Sequence, residues 1–269
     1  MSVITSATTW KIERGRGAVS DTDNKKTFFG YEVVDEGSKK GRVGEVFTSV
    51  AKSYDLMNDL MSMGTHRLWK RRIVAKTGLR PGDLALDVAG GTGDIAMLMA
   101  ERVGDAGEVV VFDINREMLE VGQSRCADKG YIKNLSFVQG DAESIGFADN
   151  SFHAVTIGFG IRNVTHLEYA LSEMARVTKP GGRVLCLEFS HPKGGLFNKV
   201  YDAYSFNVMP LVGELVTGNR GAYQYLSESI RKFPTQERLK EMMEEAGLFQ
   251  VTYENLFNGV AAIHVGVKV

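Results

Sequence analysis

From about residue 83 onward, short β-branched runs alternate with stretches in which apolar positions recur at helical spacing. The runs are LALDV (84–88), EVVVF (108–112), LSFVQ (135–139), HAVTIG (153–158) and GRVLCLEF (182–189), with helical patterns at about 94–103, 116–129 and 166–177. Strands separated by single helices predict an α/β fold with a mostly parallel sheet covered by helices. After the fifth run the spacing changes. Residues 192–234 carry aromatics and helical periodicity but no strand, and read as a helical insertion over the sheet edge. TQERLKEMMEEAG then predicts a helix opening at the Thr235 cap and stopping at Gly247. The closing stretch FQVTYENLFNGVAAIHVGVKV is two strand-like runs around Asn258-Gly259, residues that tolerate positive φ, so an antiparallel hairpin ends the sheet. Upstream, 45–63 and 66–77 predict two helices separated by Gly64-Thr65, lying either as a flap near the carboxyl ends of the strands or packed on one face.

LDVAGGTGD (86–94) follows a predicted strand and opens a predicted helix, with Gly91, Gly93 and Ala96 at G-x-G-x-x-A spacing. Glycines there let the backbone approach a ligand while the helix N-terminus presents unpaired N–H groups, so the loop points to a nucleotide or nucleoside; a tight strand-to-helix turn alone would also select glycine. Asp113 closes the second strand about 20 residues on, where a carboxylate accepts both ribose hydroxyls; capping the helix near Arg116 is the other use for it, and Asn115 can do that instead. Such a loop serves nicotinamide dehydrogenases and S-adenosylmethionine methyltransferases alike. Asp87 inside the first strand, suited to a cofactor's ammonium or its water, Asp141-Ala142 after the third strand, suited to an adenine amino edge, and the terminal hairpin together favour the methyl donor.

Composition narrows the partners. Lys plus Arg (32) nearly cancels Asp plus Glu (33) in 269 residues, so no global basic field draws in nucleic acid. Cys126 and Cys186 lie in helix-like and strand-like stretches with no metal-ligand or redox spacing, and no metal is expected. No window approaches the roughly 18 apolar residues of a membrane span, so any membrane contact would be peripheral. The first residues carry Ser, Thr, Lys11, Arg14 and Arg16 with one acid, Glu13, which fits a targeting peptide and equally a disordered tail over 1–27.

YDLMNDLMSMGTHRLWK, LDVAGGTGD, GFGIRNVTH and RVTKPGGRVLCLEFSHP together resemble the ubiquinone and menaquinone biosynthesis C-methyltransferase family, from about Phe28 to Val269. GDAES, FGIRNVTH, LCLEFS and AAIHVGVKV resemble its mitochondrial members. The resemblance implies a class I S-adenosylmethionine-dependent methyltransferase fold, Rossmann-like with a seven-stranded sheet, in one domain over 28–269. It would carry an N-terminal helical flap (45–77) and the helical insertion (192–234). It implies S-adenosyl-L-methionine as cofactor and a 2-polyprenyl-6-methoxy-1,4-benzoquinol as substrate, methylated at ring carbon 3. It further implies other ubiquinone-biosynthesis proteins as partners in a complex, a mitochondrial place on the matrix side of the inner membrane, and room for a homodimer. Carried over, the donor contacts fall on Thr92, Asp113, Asp141, Ala142 and Gly158. With Asp87, Gly91, Gly93 and Ile114 they make up the expected cofactor site. Bacterial members tend to have Asn at Asp141, which keeps an acceptor, and Ser at Gly158, whose loss leaves backbone contact only.

Carbon methylation needs the quinol hydroxyl to shed proton character, and a phenol near pKa ~10 is mostly protonated at neutral pH. GFGIRN follows the fourth strand, so Arg162 and Asn163 are the expected catalytic pair: Arg stays protonated, yet holds an oxyanion or orders a relaying water. A structural ion pair at the strand end is the other reading of Arg162. His66, His166 and His191 titrate in the right range; His166 sits at a helix start and His191 in a turn, which leaves His66, itself readable as a partly exposed helix residue. In the opening segment Met57, Met61 and Met63 offer pliable apolar surface for an isoprenoid tail, while Tyr54, Asn58, His66 and Arg67 are placed to meet the ring; Met57, Leu60 and Met61 equally fit a core-facing helix stripe. Tyr201, Tyr204, Phe206 and Met209 of the insertion would form the other wall, a membrane face or a dimer contact. The D/N-P-P-Y/F segment of amino-group methylases is missing after the fourth strand. A small-molecule O- or N-methyltransferase and a non-catalytic scaffold remain alternatives.

Overall fold

In the computed structural model of the chain, residues 3–4, 25–51, 58–59, 62, 64–131, 133–192, 194, 211, 214 and 220–269 are described. The leading part contains β1 (Val3–Ile4), a hairpin of β2 (Lys26–Phe29) and β3 (Glu32–Asp35), α1 (Glu36–Val50) and α2 (His66–Lys76). The alternating unit follows: β4 (Leu84–Val88), α3 (Asp94–Val103), β5 (Glu108–Asp113), α4 (Arg116–Asp128), β6 (Leu135–Gln139), β7 (Phe152–Gly158), α5 (Leu167–Val177) and β8 (Thr178–Phe189). The chain ends with α6 (Arg220–Lys232), α7 (Gln236–Glu245), β9 (Leu248–Leu256) and β10 (Ala261–Lys268).

The apolar runs become the parallel strands almost residue for residue. β4, β5, β7 and β8 pair in parallel, as do β5 and β6, and β10 inserts antiparallel between β8 and β9. The sheet order is β1-β6-β5-β4-β7-β8-β10-β9, so seven strands form the expected sheet and two-residue β1 adds an antiparallel edge on β6. Order reverses at β4, and the crevice beyond its carboxyl end is where an open α/β sheet accepts ligand. Alternate residues feed two cores. Ala85, Val109, Val111 and Phe137 pack with α2, α3, α4 and α6, whereas Leu86, Val110, Phe112 and Val138 pack with α5 and α7.

Local rules also place the ends. The Thr235 hydroxyl caps Arg238 N–H, and the Asn115 side chain caps Met118 N–H, which frees Asp113 from capping. Asn258 and Gly259 both take positive φ (54° and 88°) between β9 and β10. One expectation needs correction. The helix read at 45–63 is α1, which starts nine residues earlier, at Glu36, because the β2–β3 hairpin ahead of it brings the chain back and Asp35 enters in extended geometry. No periodicity announced the hairpin, since each strand is only 4 residues long. Of the insertion, α6 and a few single positions fall among the described residues; its remainder lies outside them.

Gly122 on α4 is where packing and the glycine loop meet: a Cβ there would stand 2.6 Å from the Gly91 carbonyl oxygen and 3.1 Å from Thr92 Cα. Backbone cannot yield as a flexible side-chain tip does. Gly122→Ala is therefore expected to cost about 1–3 kcal/mol by overpacking, lowering the calorimetric Tm and displacing the loop. An unchanged Tm would show that α4 can slide away.

Candidate active site

The loop after β4 is bent by left-handed residues: Ala89 (φ 50°), Gly91 (φ 50°) and Gly93 (φ 81°), the last being the N-cap of α3. This geometry turns the chain from strand to helix within five residues and leaves the first N–H groups of α3 facing the crevice. Asp113, at the carboxyl end of β5, fixes the loop. Its Oδ2 accepts from Gly91 N–H (2.9 Å) and its Oδ1 from Asn115 N–H (2.8 Å). The Ile114 amide also faces this carboxylate, which still has acceptor capacity left for a ligand.

The crevice holds a cleft of about 1030 Å³ including its open mouth. Of the expected cofactor residues, Asp87, Gly91, Thr92, Asp113, Ile114, Asp141, Ala142 and Gly158 line it. Gly93 does not; it serves the turn, and a Cβ there would meet Cys126 Sγ at 2.9 Å. At Gly158 a Cβ would meet Ile95 Cδ1 at 2.3 Å, so the missing side chain makes room for Ile95 on the cleft wall. Ile114 stands 46% exposed at the rim, an apolar face toward ligand.

Charge in the cleft is arranged by depth. Asp87 is buried and accepts from the Thr156 hydroxyl at 2.7 Å. Burial raises its pKa to about 7, against the pull of that hydrogen bond and of Lys70. Burial likewise raises Asp113 to about 6, opposed by the Asn115 and Gly91 amides. Asp94 behaves oppositely. Burial works to raise it too, but Lys70 (Nζ–Oδ2 2.6 Å) and Arg125 (Nη1–Oδ1 2.7 Å) prevail and its pKa is lowered. Lys70 thus puts a buried ammonium beside the cleft, with Phe159 6.0 Å away.

α1 covers the mouth. Lys40 pairs with Asp141 (2.6 Å) and Glu143 (3.3 Å), Lys39 donates to the Val164 carbonyl (3.0 Å), and His166 bridges Glu143 (2.9 Å) and Glu36 (3.3 Å). Asp141 thus lines the cleft as a side chain already paired with Lys40. The sequence reading missed α1 here because its few apolar positions give no clean stripe. His191, whose Nε2 meets the Phe233 carbonyl at 2.8 Å, packs away from the cleft wall.

The expected catalytic pair divides. Asn163 lines the cleft and its Oδ1 accepts from the Tyr225 hydroxyl at 2.9 Å, with the Phe29 ring stacked 4.3 Å from that of Tyr225. Arg162 lies behind it in a buried pair with Glu188 (2.5 Å) and donates to the Phe159 carbonyl (2.7 Å). The ion-pair reading of Arg162 holds, yet its Nε and Nη2 have no partner. Burial raises the Glu188 pKa and Arg162 works against it. A lone carboxylate within the apolar run VLCLEF was a signal that could have found Glu188; nothing local announced Tyr225.

The opening segment also divides. Asn58 and His66 are buried, each 1% exposed. His66 is thus no partly exposed helix residue, because it faces inward on the first turn of α2. Arg67 is corrected: its guanidinium forks onto Asp59 (2.5 and 2.9 Å) and stays mostly exposed, so it holds a carboxylate rather than a ligand ring. Tyr54, Met57, Leu60, Met61, Met63, Tyr201, Tyr204, Phe206 and Met209 lie outside the described residues. Among the described residues no group of metal-ligating side chains forms, and no helix is long and apolar enough to cross a membrane.

Residues 35–268 match the family model described as the ubiE/COQ5 methyltransferase family. The chain is 55% identical over 242 residues to the ubiquinone/menaquinone biosynthesis C-methyltransferase UbiE of Pseudomonas paraeruginosa, covering 90% of this chain and 94% of that one. The protein of the same description from Ectopseudomonas mendocina matches at 55% with the same coverage. Among solved structures, a SAM-dependent methyltransferase from Aquifex aeolicus superposes with TM-score 0.60 at 17% identity, over 82% of this chain and 98% of that one. Phosphoethanolamine N-methyltransferase 2 of Haemonchus contortus, solved with S-adenosyl-L-methionine, gives 0.55 at 18%, over 74% and 52%. These two share the fold.

Asp87 and Asp113 hold their protons more tightly in the folded chain than in the unfolded one, where aspartate titrates near 3.8. Between about pH 4 and about pH 7 the folded state binds more protons, so their contribution to stability falls as pH rises. Asp87→Asn removes the larger shift, and its Tm is expected to decline less across that window than that of the unaltered chain. Parallel calorimetric curves would mean that Asp87 titrates as an ordinary carboxylate.

Proposed function

The chain belongs to the ubiE/COQ5 methyltransferase family, and from that premise we propose that it methylates carbon 3 of a 2-polyprenyl-6-methoxy-1,4-benzoquinol in ubiquinone biosynthesis. It is an S-adenosyl-L-methionine-dependent C-methyltransferase. The observation that carries the residue assignments is the convergence, in one cleft at the reversal point of the sheet, of the glycine loop, the buried carboxylates of Asp87 and Asp113, and Asn163 on the facing wall. When bound, S-adenosyl-L-methionine supplies a methyl group already activated on a sulfonium.

The residues present fit that donor. Gly91 and Thr92 bring backbone close to it, and the remaining lone pairs of Asp113 accept ribose hydroxyls. Asp141 and Ala142 meet the adenine amino edge with Ile114 against the ring. Asp87, once ionised, faces the donor's ammonium or its water. Gly158 contributes backbone only. On the acceptor side, Tyr225 fixes the Asn163 carboxamide by taking its oxygen, which leaves the NH2 group to donate to the acceptor oxygen. Arg162 keeps two donors for the same oxygen while Glu188 neutralises its charge. Asn58 and His66 belong to the acceptor side, as do Tyr54, Met57, Met61 and Tyr201.

A water-insoluble tail on the acceptor calls for contact with a membrane surface, and Phe28, Tyr31 and Val33 stand exposed on the β2–β3 hairpin. The likeness of GDAES, FGIRNVTH and LCLEFS to mitochondrial members supports a place on the matrix side of the inner membrane, in a complex with other enzymes of the pathway or as a homodimer. The relatives named above are bacterial.

The direct test is the mass of the product formed from a short-chain benzoquinol, kept reduced, with methyl-labelled donor. One added labelled methyl on carbon is expected; methylation on oxygen would redirect the reading to an O-methyltransferase. Asp113→Ala is expected to weaken donor binding about tenfold or more in calorimetry, since charge-assisted hydrogen bonds contribute about 1.5–3 kcal/mol each. Arg162→Ala would leave Glu188 buried and unpaired at a cost of about 3–5 kcal/mol, so the informative variant is Arg162→Gln with Glu188→Gln. It is expected to keep donor affinity while slowing transfer, and loss of donor binding would make the pair structural.

A further inference from the structure

Five buried polar atoms without a partner lie in two segments that meet around one aromatic cluster. They are both carboxamide atoms of Asn58, Nδ1 of His66, and Nε and Nη2 of Arg162. The cluster is Trp69, one turn into α2, with Phe159 and Phe189 at 6.4 and 6.2 Å between ring centres; the Arg162 guanidinium sits 5.7 Å over Phe189. A buried donor or acceptor with no partner costs roughly 1–3 kcal/mol. Several at once, beside flat apolar rings and next to the cleft that Phe159 and Lys70 line, describe the surroundings of a ligand carrying both a ring and hydroxyl groups.

Within this group His66 stands apart. Its Nε2 lies 3.0 Å from Asp59 Oδ1, and the Arg67 fork holds that carboxylate in place. Asp59 can only accept, because Arg67 first and His66 after it overcome its partial burial and lower its pKa. The hydrogen must then sit on Nε2, which leaves the Nδ1 lone pair buried and free. The Ser62 hydroxyl donates to the Asn58 carbonyl and accepts from His66 N–H, locking the turn that presents the ring. A base held by a carboxylate on its far nitrogen is the arrangement that proton abstraction needs.

We propose that His66, oriented by Asp59, is the base that takes the acceptor's hydroxyl proton. This rests on the quinol reading of the same site. The O–H bond breaks toward Nδ1 and its electron pair stays on oxygen. The adjacent ring carbon bonds to the methyl carbon, and the pair of the breaking carbon–sulfur bond goes to sulfur. The ring C–H proton then leaves to water and the imidazolium returns its proton to the oxygen, so one proton is released overall. The charged groups facing His66 are Asp59, Arg67 and Lys70, the last tied to Asp94 of α3. Burial first, then Lys70, lowers its pKa, keeping the imidazole neutral and able to accept at neutral pH.

The test joins a spectrum to kinetics. In protein labelled with ¹⁵N-histidine, His66 is expected to show an unprotonated Nδ1 and a protonated Nε2 at pH 7, with Asp59→Asn disturbing that preference. A dominant Nδ1–H form in the unaltered chain overturns the assignment. His66→Ala is expected to keep donor affinity in calorimetry and to slow methylation of a short-chain benzoquinol on the order of 10²-fold or more. The loss should shrink for a ring-halogenated quinol whose hydroxyl is already acidic. Equal losses for both acceptors, or none, overturn the proposal. Should His66→Ala lose donor binding through misfolding, His66→Gln and Asp59→Asn carry the same comparison. If the unaltered protein transfers no methyl group to either quinol, the reading of the site fails first; activity in the unaltered chain with an equally fast variant removes His66 alone.

Discussion

One carboxylate at the end of one strand organises this molecule. Asp113 spends an oxygen on the Gly91 amide and the other on the Asn115 amide, so the tip of β5 holds the glycine loop of β4 and the start of α4 together. The bonds stabilise because the site is dry, and the same dryness lifts the Asp113 pKa. Asn115, held there, caps α4 and reaches the Gly44 carbonyl and Thr48 hydroxyl of α1. α4 in turn approaches the loop closely enough that its facing residue must be glycine. Strand end, loop, helix and cover are therefore one hydrogen-bonded object, and the cleft is the space they leave.

Around it, charge is set in matched pairs. Lys70 and Arg125 share Asp94, Arg162 faces Glu188, and Lys40 joins Asp141 and Glu143. Each buried pair pays desolvation, and a buried ion pair is poor evidence of added stability. What the pairs do supply is position. Asp94 puts its charge in the first turn of α3, at the electropositive helix start, while holding Lys70 at the cleft, and Glu188 holds Arg162 so that only two of its donor nitrogens remain unused. Asp87 stands unpaired by any cation at hydrogen-bond distance, and accordingly its pKa is pushed to about 7. In the proposed pose a cationic methyl donor would face in Asp87 and Asp113 two carboxyls whose ionisation its own charge favours.

The proposed acceptor side follows a different logic. Its polar groups are contributed by segments far apart in the chain, from Asn58 to Tyr225, and they are arranged around aromatic rings rather than backbone amides. Some lack partners, whereas the carboxyls of the proposed donor side are each held by an amide or hydroxyl hydrogen bond. A pocket for a flat phenolic ring needs both the apolar walls and those spare donors and acceptors, and His66 with Asp59 adds a place for the proton.

The strands, the helices between them and the terminal hairpin were legible in the sequence because their signals are local: apolar period, caps at Asn115 and Thr235, and positive φ at Asn258-Gly259. Asp87, Gly91, Asp113 and Asp141 could be named as well from the strand-to-loop register, and Thr92 and Gly158 from the family resemblance; all six line the cleft. Tertiary structure alone decided that Arg67 would bind Asp59 instead of facing the cleft, that Tyr225 would hold Asn163 from 62 residues away, and that α1 would close the mouth through Lys40. These are pairings of side chains across space, and no periodicity along a chain records which distant partner will neutralise a charge or take up a hydrogen bond.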